Sequence, residues 1–317
     1  FNKKNKITCN RFYHLFPMSY MAGFLNSVLS PLIAGGTIIL KEKFNIRFAI
    51  NFFDILKINK IDYLWLNPTM IKAINHFQKK RKKLYRKLKV FVGTAALISK
   101  DKKEFFKKFS ILPLESYGMT EILLFSSQEK NKHSYKSNVG TILKGCKIVK
   151  NNKKKLLIKS NYINKWIYNL SKKKFERVKN FKNFDTGDLG YLDNSKNLNI
   201  VGRTKNIIIK GGQNINPESI EKKINQLKIF SEICVVPIKD KFFGEDICFL
   251  IKTHKDRKIN FSKIEKLIEQ NFTRIEFPKK IIHVRSIPKN KNFKIQRNNL
   301  LSILKSKPRN ILYEKNY

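Results

Sequence analysis

Three glycine-containing segments carry the side chains best suited to holding a small ligand. They are residues 117–121 (YGMTE), 184–190 (FDTGDLG) and 202–218 (GRTKNIIIKGGQNINPE). Each combines glycine with hydroxyl, carboxylate, amide or basic groups. Parallel sheets bind ligands outside the carboxyl ends of their strands, so we predict that these segments form turns at such ends.

Histidine and cysteine chemistry is not indicated. His14, His76, His133, His254 and His283 form no cluster in the sequence, which argues against metal ligation or a hydrolytic triad. Cys9, Cys146, Cys234 and Cys248 lie far apart and lack the C-x-x-C spacing of zinc and redox sites. We interpret the cysteines as buried apolar residues in a reducing cytoplasm.

Hydrophobic periodicity predicts alternating strands and helices over the first hundred residues. Predicted strands are Thr37–Leu40, Tyr63–Leu66 and 90–92, and predicted helices are 45–58, 69–77 and 102–109. Asn67 or Thr69 is expected to cap the second helix. This alternation indicates an α/β fold with a largely parallel, doubly wound sheet.

The pattern changes after Tyr117. Residues 137–201 read as short β-rich segments, and a smaller α+β unit follows residues 202–204. Its predicted helices are Pro217–Leu227, 262–272 and 296–305, and its predicted strands are 233–238, 247–253 and 280–285. We therefore expect two domains, residues 1–203 and 204–317.

Residues 21–40 are apolar enough to be a candidate membrane span. Asn26, Pro31, Gly35 and Gly36 interrupt the stretch, so a buried helix, a turn and a strand fit better. We predict no integral membrane segment.

The net charge of +44, from 67 basic and 23 acidic residues, ordinarily suggests a polyanionic partner. The lysines are spread over nearly every segment, and Asn, Ile and Phe are also abundant, which is typical of an AT-rich coding sequence. We interpret the charge as compositional drift and expect no specific nucleic-acid partner.

The order of the motifs resembles that of the adenylate-forming superfamily, which includes acyl-CoA synthetases, nonribosomal-peptide adenylation domains and beetle luciferase. The specific matches are the segments that begin at Tyr117, Thr186 and Gly202. Weaker matches occur at residues 17–23 (PMSYMAG), 93–97 (GTAAL) and 288–297 (PKNKNFKIQR). All lie in the family's order, and the long segment from Gly202 is most similar to the acyl-CoA ligase branch.

The resemblance implies that a carboxylate attacks the α-phosphate of ATP to form an acyl-adenylate. Tyr117 would stack on adenine, and Gly118, Gly93 and Ala95 would also contact ATP or AMP. The large domain would be a remnant of the family's AMP-binding domain, and the small domain would be mobile.

The remaining implied roles concern phosphate, ribose and the reacting carboxylate. Thr120 would donate to the α-phosphate and Glu121 would bind Mg²⁺, which typically takes one or two protein carboxylates. Asp188 would accept hydrogen bonds from the ribose hydroxyls, and Arg203 would contact ribose or phosphate. Lys294 would be the catalytic lysine that bridges carboxylate and α-phosphate.

The resemblance also implies a second half-reaction in which CoA takes the acyl group. The small domain would rotate about a hinge at Lys205. Gly211 and Gly212 would let the pantetheine arm approach closely because they lack Cβ atoms.

Several positions depart from the family pattern. Nothing in the chain matches the phosphate loop T-S-G-T-T-G-x-P-K, so we expect an N-terminally truncated fragment that is inactive or severely impaired alone. Phe293 stands where a glycine usually precedes the catalytic lysine, and Tyr20 stands where histidine is usual.

The main functional hypothesis is an AMP-forming acid:CoA ligase. The alternatives are a nonribosomal-peptide adenylation domain, a non-catalytic basic nucleic-acid-binding or scaffold remnant, and a decaying gene fragment. An apolar acid, as in fatty acid metabolism, is suggested by the residues expected to line the acyl pocket, which are Phe24, Leu25, Val28, Ala95, Leu123 and Leu124.

Overall fold

The computed structural model describes residues 1–8, 10–19, 21–41, 43–78, 88–93, 97, 99–129, 138–149, 155–169, 172–178, 181–253, 261–290, 295–297, 299–300 and 311–314. It divides into two compact units. The first comprises Phe1–Thr186 and Gly190–Ile200, and the second comprises Gly187–Leu189 and Val201–Tyr317. Ala95 and Lys294, both singled out above, lie outside the described residues.

The first unit contains a seven-stranded sheet. Its strands are β1 (Arg11–His14), β2 (Thr37–Leu40), β3 (Tyr63–Leu66), β4 (Lys89–Val92), β5 (Leu114–Met119), β6 (Leu123–Ser127) and β7 (Thr141–Ile142). The order is β2-β1-β3-β4-β5-β6-β7, parallel from β2 to β5 and antiparallel from β5 to β7. All four residues of β3 are buried, as expected of a parallel strand covered on both faces. The prediction of a largely parallel sheet is confirmed.

Helices connect the parallel strands. A short helix, α1 (Asn2–Asn5), precedes β1. The connecting helices are a π-helix (Ala22–Leu29) that runs into α2 (Ser30–Ile33), α3 (Ile46–Ile50), α4 (Phe52–Ile58), α5 (Pro68–Phe77) and α6 (Ser99–Phe109). Asn67 caps α5, since its side chain accepts from the Met70 amide at 2.8 Å. The single helix predicted over 45–58 is wrong. Asn51, a weak helix former, adopts φ −98° and ψ 20° and separates α3 from α4.

The helix predicted to be buried between residues 21 and 33 is only partly so. Phe24, Leu32 and Ile33 are at least half exposed, whereas Asn26 and Ser27 are buried. The helix thus packs through its small polar face, which hydropathy alone does not reveal. Within the described residues, no helix combines the length and apolar character needed to cross a membrane.

The β-rich part of the chain contains a hairpin and a second sheet, of which residues 187–189 and 201–203 belong to the second unit. Its strands are β8 (Cys146–Val149), β9 (Lys155–Ser160), β10 (Trp166–Asn169), β11 (Lys174–Arg177), β12 (Phe184–Leu192) and β13 (Leu198–Arg203). Strands β10 and β11 form the hairpin, and the sheet has the order β13-β12-β9-β8. The turn predicted at 184–190 is wrong, because these residues lie inside β12. Gly187, with φ +70°, is the local irregularity there.

The second unit is an α+β structure. It contains β14 (Ile208–Lys210), β15 (Gln213–Ile215), α7 (Pro217–Leu227), β16 (Glu232–Asp240), β17 (Gly244–Lys252), α8 (Phe261–Asn271), β18 (Lys280–His283) and β19 (Ile311–Glu314). The sheet order is β15-β14-β17-β18-β19, with β16 paired to β17. The helix predicted at 296–305 lies mostly outside the described residues. The roles assigned to the two predicted domains stay predictions.

Candidate active site

Two predicted nucleotide-binding segments meet at the carboxyl ends of adjacent parallel strands. Gly93 follows β4, and Tyr117 lies near the end of β5. Val92 is in register with Glu115, and the Ser116 hydroxyl donates to the Val92 carbonyl at 3.3 Å. The first glycine segment therefore lies where parallel sheets commonly bind ligands.

The glycine of the YGMTE segment is required by a close backbone contact. An ideal Cβ at Gly118 would lie 2.1 Å from the carbonyl oxygen of Leu123. The pairing of β5 with β6 is irregular between Tyr117 and Gly118. Tyr117 is half-buried, and its ring meets Phe125 edge to face at a centroid distance of 6.3 Å. Tyr117 and Gly118 therefore belong to β5, and the turn begins only at Thr120.

Asn164 fixes the turn that carries Thr120 and Glu121. Its side-chain amide donates to the Thr120 carbonyl at 2.9 Å, and its backbone amide donates to the Glu121 carbonyl at 2.8 Å. Thr120 is exposed and Glu121 is half-buried, while Ile122 is fully buried and anchors the far side of the turn. Sequence reasoning missed Asn164 because its contact with the turn crosses more than forty positions of the chain.

The Glu121 side chain fits a nucleotide-associated Mg²⁺. Across the described residues no hydrogen bond or ion pair engages its carboxylate, and no group of three metal-ligating side chains exists there. Mg²⁺ usually keeps several waters and binds one or two carboxylates together with substrate phosphates. A lone carboxylate on an anchored turn suits that mode.

A buried polar network lies behind this segment. Lys102 of α6 donates to Glu115 at 3.0 Å and to the Gln128 side-chain oxygen at 2.8 Å. The other Glu115 oxygen accepts from the Leu97 amide at 3.1 Å. Lys102 and Glu115 are at most 1% exposed. Burial lowers the pKa of the Lys102 ammonium, and the Glu115 carboxylate opposes that shift. The network ties the segment after β4 to β5.

Sequence reasoning missed this network, although part of the signal was present. Lys102, Phe105 and Phe109 follow helical spacing, which places a lysine on the apolar face of α6. Its carboxylate partner comes from a strand thirteen positions later and was not predicted.

In the second unit the structure brings Asp188 and Arg203 together. The Arg203 Nε lies 3.0 Å from Asp188 Oδ1. The Asp188 side chain is almost buried, whereas that of Arg203 is about half exposed. A nearly buried carboxylate beside an accessible guanidinium presents both an acceptor for hydroxyls and a positive charge for an anion.

Gly211 and Gly212 form the turn between β14 and β15. Both have positive φ, +54° and +78°, which glycine adopts without strain. No atom of the described residues lies within 4 Å of an ideal Cβ at Gly212, so that side of the turn is open there. The preceding Lys210 forms a buried ion pair with Asp246 at 2.5 Å, which fixes the base of the turn. Lys205, the predicted hinge, is exposed in a 3₁₀ turn (Thr204–Asn206).

The segment predicted to carry the catalytic lysine is anchored on both sides of Lys294. Lys289 and Ile295 form an isolated antiparallel bridge, and the Gln296 amide donates to the Pro288 carbonyl at 2.9 Å. Arg297 donates to both carboxylate oxygens of Glu221, at 2.7 and 2.9 Å. Burial alone would lower the pKa of Arg297, but the hydrogen bonds and charge of Glu221 outweigh it and raise that pKa.

The predicted site residues are thus grouped separately within each unit. In the first unit Gly93 lies beside the end of β5, which carries Tyr117 and Gly118 and leads into the Thr120–Glu121 turn. In the second unit Asp188 contacts Arg203, and Gly211–Gly212 lies on the separate β14–β15 turn. Anchored glycine turns, a carboxylate on an anchored turn and a carboxylate–guanidinium contact are groups that a nucleotide-binding site can use.

Comparison with known proteins agrees with a site of this kind. The model of the AMP-binding enzyme family matches residues 2–159. Residues 2–159 belong to this adenylate-forming family. The chain is 34% identical over 118 residues to 2-succinylbenzoate–CoA ligase of Listeria monocytogenes, covering 37% of this chain and 25% of that protein. It is 31% identical over 122 residues to the mitochondrial medium-chain acyl-CoA ligase ACSF2 of Bos taurus, covering 38% of this chain and 20% of that protein.

Solved structures extend the likeness over most of the chain. ATP-bound MatB from Rhodopseudomonas palustris matches with a TM-score of 0.81 and 22% identity, covering 96% of this chain and 62% of that one. The o-succinylbenzoate CoA synthetase MenE of Bacillus subtilis, in complex with its acyl-adenylate, matches with a TM-score of 0.77 and 19% identity, covering 96% and 62%. The chain thus spans less than two thirds of the length of these structures. At 19–22% sequence identity, these structural matches establish the fold alone.

Proposed function

We propose that the chain is part of an AMP-forming carboxylic acid:CoA ligase that works through an acyl-adenylate. The observation that carries this proposal is the placement of Gly93 beside the end of β5, where Tyr117 and Gly118 lead into the anchored Thr120–Glu121 turn. This cluster lies inside the segment matched by the AMP-binding family. Both relatives named above are CoA ligases, which favours CoA over a carrier protein as the acceptor.

In the first half-reaction an oxygen of the carboxylate forms a bond to the α-phosphorus of ATP. The bond from that phosphorus to the bridging oxygen breaks, and pyrophosphate leaves with the electron pair. Thr120 donates to the α-phosphate, and Lys294 neutralises the charge between carboxylate and phosphate. Glu121 would hold a Mg²⁺, which would supply charge neutralisation at the phosphates. Tyr117 holds adenine. Together these groups accelerate the reaction by positioning the reactants and by stabilising charge.

Asp188 and Arg203 complete nucleotide binding in this proposal. The Asp188 carboxylate accepts from the ribose hydroxyls, and the accessible Arg203 contacts ribose or phosphate. Their contact at 3.0 Å sets the carboxylate in place before the nucleotide arrives.

In the second half-reaction the CoA thiolate attacks the acyl carbon. A carbon–sulfur bond forms, the carbon–oxygen bond to AMP breaks, and AMP leaves with the electron pair. The open side of Gly212 gives a narrow pantetheine arm room to pass. Rotation of the backbone near the exposed Lys205 would switch the enzyme from the first half-reaction to the second.

The acid in this proposal has an apolar tail. Leu123 and Leu124 flank the YGMTE turn, and Phe24 lies on the partly exposed helix. The described cysteines, Cys146, Cys234 and Cys248, are buried and form no disulfide with one another, which fits a reducing compartment such as the cytoplasm.

Binding of an acyl-adenylate mimic tests the chain itself. A 5′-O-acylsulfamoyl adenosine with an apolar acyl group replaces the reactive phosphate, and its affinity is measured by calorimetry. We expect binding that Asp188→Asn weakens by about tenfold, because an amide replaces the carboxylate acceptor. The matched control is Asp185→Asn, an exposed position on the same strand, which should leave affinity unchanged.

Turnover is tested on the full-length gene product with a panel of carboxylic acids, ATP, Mg²⁺ and CoA. We expect AMP and acyl-CoA in equal amounts with at least one apolar acid. Formation of ADP, or ATP binding without thioester from any acid, would contradict the proposal.

A further inference from the structure

The β10–β11 hairpin presents a cluster of exposed aromatic side chains. Trp166 is 59% exposed, Tyr168 46% and Phe175 68%. Tyr168 is directly opposite Phe175, and Trp166 is directly opposite Arg177. Residues directly opposite in an antiparallel pair, and alternate residues along a strand, share one face. The three aromatic rings and Arg177 therefore lie on the same face of the hairpin.

Basic residues surround this aromatic face. Between residues 161 and 177 the basic side chains are Lys165, Lys172, Lys173, Lys174 and Arg177, and the only acidic one is Glu176. Lys172 lies 2.9 Å from the Glu176 carboxylate, which offsets the single negative charge. The four lysines are exposed. The hairpin thus combines exposed aromatic rings with an excess of positive charge.

This combination differs from the other exposed apolar positions of the first unit. Most of those are aliphatic, as at Ile33, Leu40, Ile46 and Ile58. Amphipathic aromatic rings prefer the boundary between water and lipid, and lysines near the surface are attracted to anionic headgroups. The stems of the lysines can also cover apolar surface while their charges stay in water.

Stacking on single-stranded nucleic acid is less consistent with the geometry. Base stacking needs flat, accessible ring faces. The rings of Tyr168 and Phe175 meet edge to face, with centroids 5.1 Å apart and planes at 67°. The edge of one ring therefore covers a face of the other, and that face is not available to a base.

We propose that the β10–β11 hairpin docks the protein peripherally on anionic lipid bilayers. Trp166, Tyr168 and Phe175 enter the headgroup region, and the lysines contact lipid phosphates. This surface adds a membrane partner and is independent of the proposed ligase activity.

Trp166 provides a direct probe, because the chain has only two tryptophans and Trp65 is 2% exposed. Vesicles of equal parts phosphatidylcholine and phosphatidylglycerol are added to the 317-residue chain at physiological ionic strength. The Trp166 signal is taken as the difference between the wild-type and Trp166→Phe spectra. We expect a blue shift and quenching by lipids brominated near the headgroup, and neither with phosphatidylcholine alone.

The aromatic face is then tested by the triple variant Trp166→Ala, Tyr168→Ala, Phe175→Ala. Vesicle co-sedimentation should weaken by about tenfold or more, because binding scales with inserted apolar area. Phe242→Ala, which removes a 77% exposed aromatic residue from the second unit, should bind like the wild type. Thermal unfolding of both variants checks that the fold is retained.

Several outcomes would overturn the proposal. One is a Trp166 spectrum that anionic vesicles leave unchanged. Another is a triple variant that binds vesicles as tightly as the wild type, because the general positive charge of the chain would then explain the binding. A third is a Trp166 shift with single-stranded DNA that exceeds the shift with vesicles.

Discussion

At the residue scale, Gly118 is a position where a single added methyl group should lower stability. Its added Cβ would lie 2.1 Å from the Leu123 carbonyl oxygen, so β5 and β6 must move apart. We expect Gly118→Ala to lower the free energy of unfolding by about 2 kcal/mol, measured by urea titration. The control is Gly93→Ala, whose Cβ would make an ordinary 3.4 Å contact with the Trp65 ring. Equal losses for both variants would refute the steric explanation.

Asp240 is a residue whose ionisation should stabilise the second unit. The hydrogen bond from Lys279, supported by the Phe243 and Phe242 amides, lowers the pKa of Asp240 from 3.8 to about 2. A lowered carboxyl pKa gives stability that is fully present above the unfolded-state value and is lost as the pH falls through the folded-state value. The melting temperature of Asp240→Asn should therefore lie below that of the wild type near neutral pH.

The difference between these two proteins should shrink as the pH falls from about 4 toward about 2. Thermal melts followed by circular dichroism across that range provide the measurement. A constant difference at every pH would mean that the loss arises from packing and not from the charge of Asp240.

At the element scale, the Lys102–Glu115 pair couples helix α6 to strand β5 beneath the candidate site. Removing one partner leaves a buried charge, so Lys102→Met should lower the free energy of unfolding by about 3–5 kcal/mol. Adding Glu115→Gln removes the second charge and keeps an acceptor for the Leu97 amide. The double variant should therefore lose less than the sum of the two single losses.

Denaturant unfolding of the wild type, both single variants and the double variant gives the coupling energy. We expect it to exceed about 1 kcal/mol, as is usual for residues in contact. Glu104→Gln, which breaks a solvent-accessible pair with Lys108 on the same helix, should change stability by less than about 1 kcal/mol. Additive losses for Lys102 and Glu115 would show that the pair acts as two independent side chains.

At the scale of the whole molecule, the sequence predicts the parallel sheet because its strands are short apolar runs between helical patterns. Tyr63–Leu66 is an example, because a strand whose two faces are both covered by other elements needs apolar residues at every position. The misses have local or long-range causes. Asn51 interrupts a pattern that periodicity read as continuous, and Gly187 allows β12 to pass through a segment that read as a turn.

The site was predictable where one short segment carries it and unpredictable where distant segments meet. The YGMTE segment and the paired glycines at 211–212 are visible in the sequence. The anchoring of the Thr120–Glu121 turn by Asn164, and of Lys102 by Glu115, depends on tertiary contacts that no local pattern encodes. The helix at 22–33 was misjudged because its buried face is polar and its exposed face is apolar.

The most direct measurement of the central claim follows the oxygen atoms of the acid. The full-length gene product is incubated with ATP, Mg²⁺, CoA and an apolar acid whose two carboxyl oxygens are ¹⁸O, and the products are weighed by mass spectrometry. Attack of the carboxylate on the α-phosphorus predicts AMP that carries one ¹⁸O atom. Label in phosphate or ADP, or acyl-CoA accompanied by unlabelled AMP, would contradict an acyl-adenylate mechanism.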